Sequence, residues 1–116
     1  MCNGRSVLTV IEVRGIAVSH GSCKSRAKVI ANEEDFDKVE QGDIIIVYKS
    51  CPGWIIPLMR AGGMICEIGG ALSHIGILCR ELGKPCVSGI PNIYSQIKDN
   101  DIVYINGTLG EVQIYE

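Results

Sequence analysis

No stretch of this 116-residue chain is apolar for long enough to span a bilayer; the longest purely apolar runs, such as Ile44–Val47, are strand-sized. Its first residues, MCNGRSV, lack the hydrophobic core of a signal peptide, which predicts a cytoplasmic protein with no membrane partner. An excess of one charge is missing too. With 11 Lys+Arg against 13 Asp+Glu, the net charge of −2 gives no electrostatic case for a nucleic-acid partner. Glu33–Asp37 is the only acidic cluster and reads as a solvated helix start. Internal repeats and low-complexity segments are absent. So is any CxxC pair, and no cysteine pair has zinc-finger spacing with a histidine, so no metal site is expected. Six cysteines are nevertheless many for this length. Cys51, Cys66, Cys79 and Cys86 lie in or beside apolar segments and read as small buried hydrophobes in a reducing compartment. A disulfide framework, or a thiol-based redox or metal module, is the alternative.

What is present is a single domain, residues 1–116, that is 47% hydrophobic and 21% charged and can bury a real core. Leu8–Val13 is β-branched and reads as a strand; Gly15 interrupts it and Ile16–Ser19 continues extended. After a turn at Gly21-Ser22, Ala27–Ala31 reads as a second strand. Glu33–Gln41 reads as a short polar helix or turn, and Asp43–Lys49 as a strand buried on both faces. A helix beginning near Trp54 is stopped by Gly62-Gly63, and Met64–Ile68 is the next strand. Ser73–Leu82 is a helix with Gly83 as its C-terminal cap and Pro85 just beyond, followed by the short strand Pro85–Ser88. Asp101–Asn106 and Glu111–Tyr115 flank NGTLG as a closing hairpin. Strand–helix–strand passes over Asp43–Ile68 and Met64–Ser88 predict parallel pairing. The expected fold is therefore α/β, with a mainly parallel central sheet and additional strands beside it.

Ligands in such folds bind beyond the C-terminal ends of parallel strands. The Gly69-Gly70 turn follows Met64–Ile68 at such an end, and it places His74 at the start of the next helix. Backbone N–H groups point outward there and the helix dipole is positive, which favours a bound anion, phosphate above all. The same field disfavours imidazolium and leaves one ring nitrogen with a free lone pair, the requirement for a nucleophile in phosphoryl transfer. Glycines at 69 and 70 let a phosphate approach the backbone. Ile75, Leu78, Cys79 and Leu82 form an apolar stripe that should pack inward, with His74 beside it. Ser73 is placed to cap the helix or orient the imidazole. His20 reads as a surface residue. Arg80 is a candidate phosphate ligand whose plainer reading is a structural ion pair, as for Glu81, and Arg60 suits a helix C-terminus.

Gly69, Gly70, Leu72, Ser73, His74, Gly76, Ile77, Arg80, Glu81, Leu82, Gly83, Pro85, Val87 and Gly89 together resemble the phosphohistidine pattern GG-x-[TL]-[SC]-H-x-[AG]-I-x-A-R-E-L-G-I-P-x-V-x-G of the mobile, swivelling domain of PEP-utilising enzymes, as in phosphoenolpyruvate synthase and pyruvate phosphate dikinase. Pro52-Gly53-Trp54, Pro57-Leu58-Met59 and Ala61-Gly62-Gly63 are similar to the family's lead-in, Asp99–Val112 to its closing hairpin, and Gly15–Val29 to its opening strands. The resemblance covers nearly the whole chain.

It implies a swivelling β/β/α domain in which His74 accepts a phosphoryl group from a nucleotide or a phosphoenolpyruvate site and passes it on. Gly69, Gly70, Ser73 and Arg80 would bind or support the phosphate. It also implies an ATP-grasp nucleotide-binding domain and a phosphoenolpyruvate/pyruvate TIM-barrel domain as partners, in the same chain or another. ATP and magnesium would sit on those partners and no cofactor on this domain, because no P-loop, ATP-grasp region, carboxylate cluster or barrel repeat is visible here. The domain alone would be an incomplete enzyme, either part of a longer chain or free-standing. A non-catalytic regulatory or binding module that keeps the fold is the other expectation. The sequence departs from the pattern at Leu72, where many members carry a Thr hydroxyl, and at Ile75-Gly76, where an Ala pair is common.

Overall fold

A run such as Ile44-Ile45-Ile46-Val47 has no polar face to offer solvent, so it can only be a strand covered on both sides. In the computed structural model, which describes residues 10–49, 51–69 and 73–115, this run is β4 (Ile44–Lys49), and its first four residues are buried. The other strands are β1 (Val10–Arg14), β2 (Ile16–Ser19), β3 (Ser22–Val29), β5 (Gly63–Ile68), β6 (Cys86–Ser88), β7 (Ile102–Asn106) and β8 (Glu111–Tyr115). They form one eight-stranded order, β1-β8-β7-β3-β4-β5-β6-β2.

The β3-β4-β5-β6 segment is parallel throughout; the two strand–helix–strand passes predict β4–β5 and β5–β6, and the structure adds β3–β4. That is the parallel centre expected, and the additional strands on either side make the sheet as a whole mostly antiparallel. β1 with β8, β8 with β7, β7 with β3 and β6 with β2 all pair antiparallel. The β7–β8 pair is the closing hairpin expected from sequence, whereas the other three pairings join distant parts of the chain. β3 serves both parts: Ser22–Arg26 pairs with β7, and Ala27–Val29 pairs with β4.

Strand alternation sends successive side chains into separate cores. Ile45 and Val47 of β4, with Met64 and Cys66 of β5, pack in a cluster with Leu58, Ile75 and Cys79 from the helices. Ile44, Ile46 and Ile65 pack in a second cluster with Val103, Ile105, Val112 and Ile114 of the β7–β8 hairpin. The parallel strands thus lie between a helical layer and an antiparallel layer.

The helical pieces are short. A 3-10 helix, Glu33–Lys38, is opened by a capping box in which Asn32 and Asp35 exchange side-chain and backbone bonds. The helix expected from Trp54 shrinks to a 3-10 turn, Pro52–Trp54, and α1 (Ile55–Leu58). α2 (His74–Leu82) is the longest, and α3 (Ile93–Gln96) was not expected from sequence. Among the described residues, no helix is long and apolar enough to cross a membrane.

Candidate functional site around His74

His74 is the first residue of α2, and its side chain is exposed. Ser73 sets that start: its backbone is extended (φ −66°, ψ 155°) and its Oγ accepts a 3.2 Å hydrogen bond from the Gly76 N–H. The Ile77 N–H then bonds to the Ser73 carbonyl at 3.0 Å, the first regular helical bond. Among the described residues, the N–H groups of His74 and Ile75 have no acceptor. They are the outward-facing donors that a helix start leaves over.

The far end is fixed by Gly83, at φ +70°, where a left-handed conformation suits glycine. Its N–H and that of Lys84 close on the carbonyls of Arg80 and Cys79. Ile75 and Cys79 are buried against the sheet and Leu78 is partly so, as the stripe predicts, whereas Leu82, in the last turn, is 37% exposed and departs from it.

Of the other predicted site residues, Gly69 follows β5 directly, and its carbonyl accepts a 3.2 Å hydrogen bond from Ser88 Oγ. Gly70 lies outside the described residues, as does Leu72. The Arg80 Nη1 donates to the Val18 carbonyl at 2.8 Å, which ties α2 to β2. Glu81 and His20 are exposed. Arg60 reaches the Phe36 carbonyl at 2.6 Å and joins the end of α1 to the 3-10 helix. Ser88 was missed as a supporting residue; a small polar side chain closing a buried apolar strand was the available signal.

Three of the thiols, Cys66, Cys79 and Cys86, share a core cluster with Ile75 of α2. Cys66, Cys79 and Cys86 are buried as expected, but Cys51 is exposed, which corrects its reading as a buried hydrophobe. It sits in the breaker between β4 and α1, where no apolar layer covers it. Burial pushes the Cys66 thiol up to about 11. A hydrogen bond with Cys79 together with burial holds the proton on Cys86. The five described cysteines are all free, and no group of three or more His, Cys, Asp or Glu among the described residues is placed to hold a metal.

Comparison with known proteins agrees with this geometry. The family described as "PEP-utilising enzyme, mobile domain" matches residues 39–110, well over half of the chain and all of α2. A probable phosphoenolpyruvate synthase from Methanothermobacter thermautotrophicus is 37% identical over 102 residues, covering 88% of this chain and 15% of that protein. Rifampicin phosphotransferase from Bacillus subtilis is 37% identical over 101 residues, 87% of this chain and 12% of that protein. The chain therefore spans less than a sixth of the length of these relatives. A solution structure of Enzyme I superposes with a TM-score of 0.59 at 28% identity, over 68% of this chain and 33% of that one. An eight-stranded sheet with a parallel centre, an exposed histidine opening the helix after β5, and these matches lead to one assignment: the chain belongs to the family of PEP-utilising enzyme mobile domains.

Proposed function

We propose that this chain is the phosphohistidine carrier of a phosphoenolpyruvate synthase-like phosphotransferase, with His74 as the residue that is phosphorylated. The observation that carries the reading is the position of His74: exposed, first in α2, beyond the C-terminal end of a parallel strand, beside two N–H groups with no acceptor among the described residues. A ring nitrogen attacks the phosphorus of the donor. The N–P bond forms as the donor's P–O bond breaks, and the leaving oxygen keeps the electron pair. Delivery reverses this onto an acceptor, so one difficult transfer becomes two easier ones.

The first-turn N–H groups, with Gly69 and Gly70, receive phosphate oxygens, and Ser73 holds the helix start in place. Arg80 acts as a positioning residue through its bond to β2. ATP and magnesium belong to an ATP-grasp partner, and phosphoenolpyruvate or pyruvate to a TIM-barrel partner. The length of the relatives supports the need for further domains. The setting is the cytoplasm, where both donors are found.

The test supplies the cognate nucleotide- and phosphoenolpyruvate-binding domains with donor labelled in the transferred phosphoryl group. Acid-labile, alkali-stable label on the wild-type chain, absent from a folded His74→Ala variant, is expected. Label retained by His74→Ala would remove His74 from the mechanism. A wild type that stays unlabelled with every donor would leave a non-catalytic module of the same fold.

A further inference from the structure

The parallel strands end on one edge, and His74 occupies only part of it. Beside it, where β3 and β4 finish, lies an open cleft of about 430 Å³ lined by Ile30, Tyr48, Lys49, Cys51, Trp54 and Tyr94. That size falls within the range of small-molecule sites, roughly 300–1,000 Å³. Its walls come from three separate segments: the residue after β3, the end of β4 with the following turn, and α3.

Two of the aromatic walls are fixed in place. Tyr94 Oη donates to the Ile30 carbonyl at 3.1 Å, and Trp54 Nε1 donates to the Lys49 carbonyl at 2.9 Å. Phe36 meets the Trp54 ring edge-on, with centroids 5.6 Å apart. The third wall, Tyr48, stands edge-to-face with Tyr94 at 6.0 Å and is 49% exposed. A cleft whose rings are already held spends little ordering entropy on a ligand. Lys49 also lines the cleft, is exposed, and its side chain makes no hydrogen bond or ion pair among the described residues.

Flat aromatic walls favour a flat aromatic guest, since ring pairs gain beyond the area they bury. An unpaired ammonium beside them favours a negative charge on that guest. We propose that this cleft is a second binding site, distinct from His74, for a planar aromatic ring that carries an anionic group. Nothing in the phosphocarrier reading requires it.

Trp54 is the only tryptophan in the chain, so its emission reports on the cleft directly. The probe is AMP, with adenosine as the ring without the anion and ribose 5-phosphate as the anion without the ring. Saturable quenching by AMP is expected, weaker by adenosine and absent with ribose 5-phosphate, and AMP should slow alkylation of the exposed Cys51 thiol. Tyr48→Ala, at a half-exposed position and checked for folding by its thermal melt, should raise the AMP dissociation constant by about tenfold. Lys49→Gln should weaken AMP and leave adenosine unchanged. Calorimetry run alongside detects binding that leaves the emission unaltered. No saturable AMP binding by either measurement, or equal binding by wild type, Tyr48→Ala and Lys49→Gln, overturns the proposal. The titration contains no phosphoryl donor, so its failure and that of the His74 reading are separately visible.

Discussion

The Arg80 guanidinium donates to the carbonyl of Val18, 2.8 Å away, and so closes a gap in the edge of the sheet. The β2–β6 register shifts between Ala17 and Ser19, and Val18 has no partner in that ladder. Val18 is 5% exposed, so its carbonyl needs another donor, and the last turns of α2 bring one. Arg80→Ala should cost about 1–3 kcal/mol, the usual penalty for a buried acceptor left unsatisfied. Arg80→Lys should recover part of it. Urea denaturation of the two variants measures the difference.

The opposite end of α2 depends on Ser73. Ser73→Ala removes the Oγ that accepts from Gly76 and should cost about 1 kcal/mol, whereas Ser73→Asp should keep most of the cap. The same denaturation series, with amide exchange at Gly76, checks both. Faster exchange at Gly76 is expected in Ser73→Ala alone.

Lys28 on β3 and Asp43, just before β4, form a buried ion pair of 2.8 Å, and Asp43 also accepts from the Glu40 N–H. Their side chains are only 6% and 8% exposed. Asp43→Ala strands a buried ammonium and should cost about 3–5 kcal/mol. Lys28→Met combined with Asp43→Leu should cost clearly less than the sum of the single changes. A double-mutant cycle tests this, and additive losses would contradict the coupling.

Cys66 carries a pH signature. Its thiol rises from 9.0 to about 11 in the folded chain because it is buried. The folded state therefore holds this proton more tightly than the unfolded state does. The associated stability is complete below the unfolded pKa and is lost as pH rises through the folded one. Cys66→Ala removes the group. The stability gap between wild type and Cys66→Ala should thus narrow from about pH 8 to about pH 10.5. Equilibrium unfolding at the two pH values measures the gap, and a constant gap would show that Cys66 does not titrate across this range.

Gly107 leaves no room for a side chain. A Cβ there would fall inside contact distance of the Ser19 carbonyl oxygen and 3.0 Å from the Cys86 nitrogen, both backbone atoms. At Gly53 a Cβ meets nothing within 4 Å. Gly107→Ala should destabilise by about 3 kcal/mol or more, and Gly53→Ala only slightly. Thermal melts of the pair decide it.

Some of this was legible because single segments carry it. β4 declares two-sided burial by having four consecutive apolar residues, and α2 is bracketed by Ser73 and Gly83, both of which cap it. The first half of β3 was not, because Ser22–Arg26 is polar and alternates between exposed and half-buried positions; only its pairing with β7 makes it a strand. α3 is four residues long and starts after Asn92 at φ 64°, with no periodicity to read. The antiparallel majority of the sheet depends on partners as far apart as β1 and β8. The aromatic cleft draws on Ile30, Tyr48, Lys49, Cys51, Trp54 and Tyr94, whose proximity no local pattern encodes.

The pairing of β1 with β8 places Val10 opposite Tyr115, so the first and last described strands run side by side in opposite directions. Polypeptide joined before β1 and after β8 would leave from one corner of the domain, like two strings tied to a single post. Turning the domain about that corner would shorten and lengthen both connections together, and no segment would have to wrap across a face. His74 opens the helix after β5, an inner strand of the order, and lies well along the chain from both β1 and β8, so such a turn would move it without displacing it within the domain.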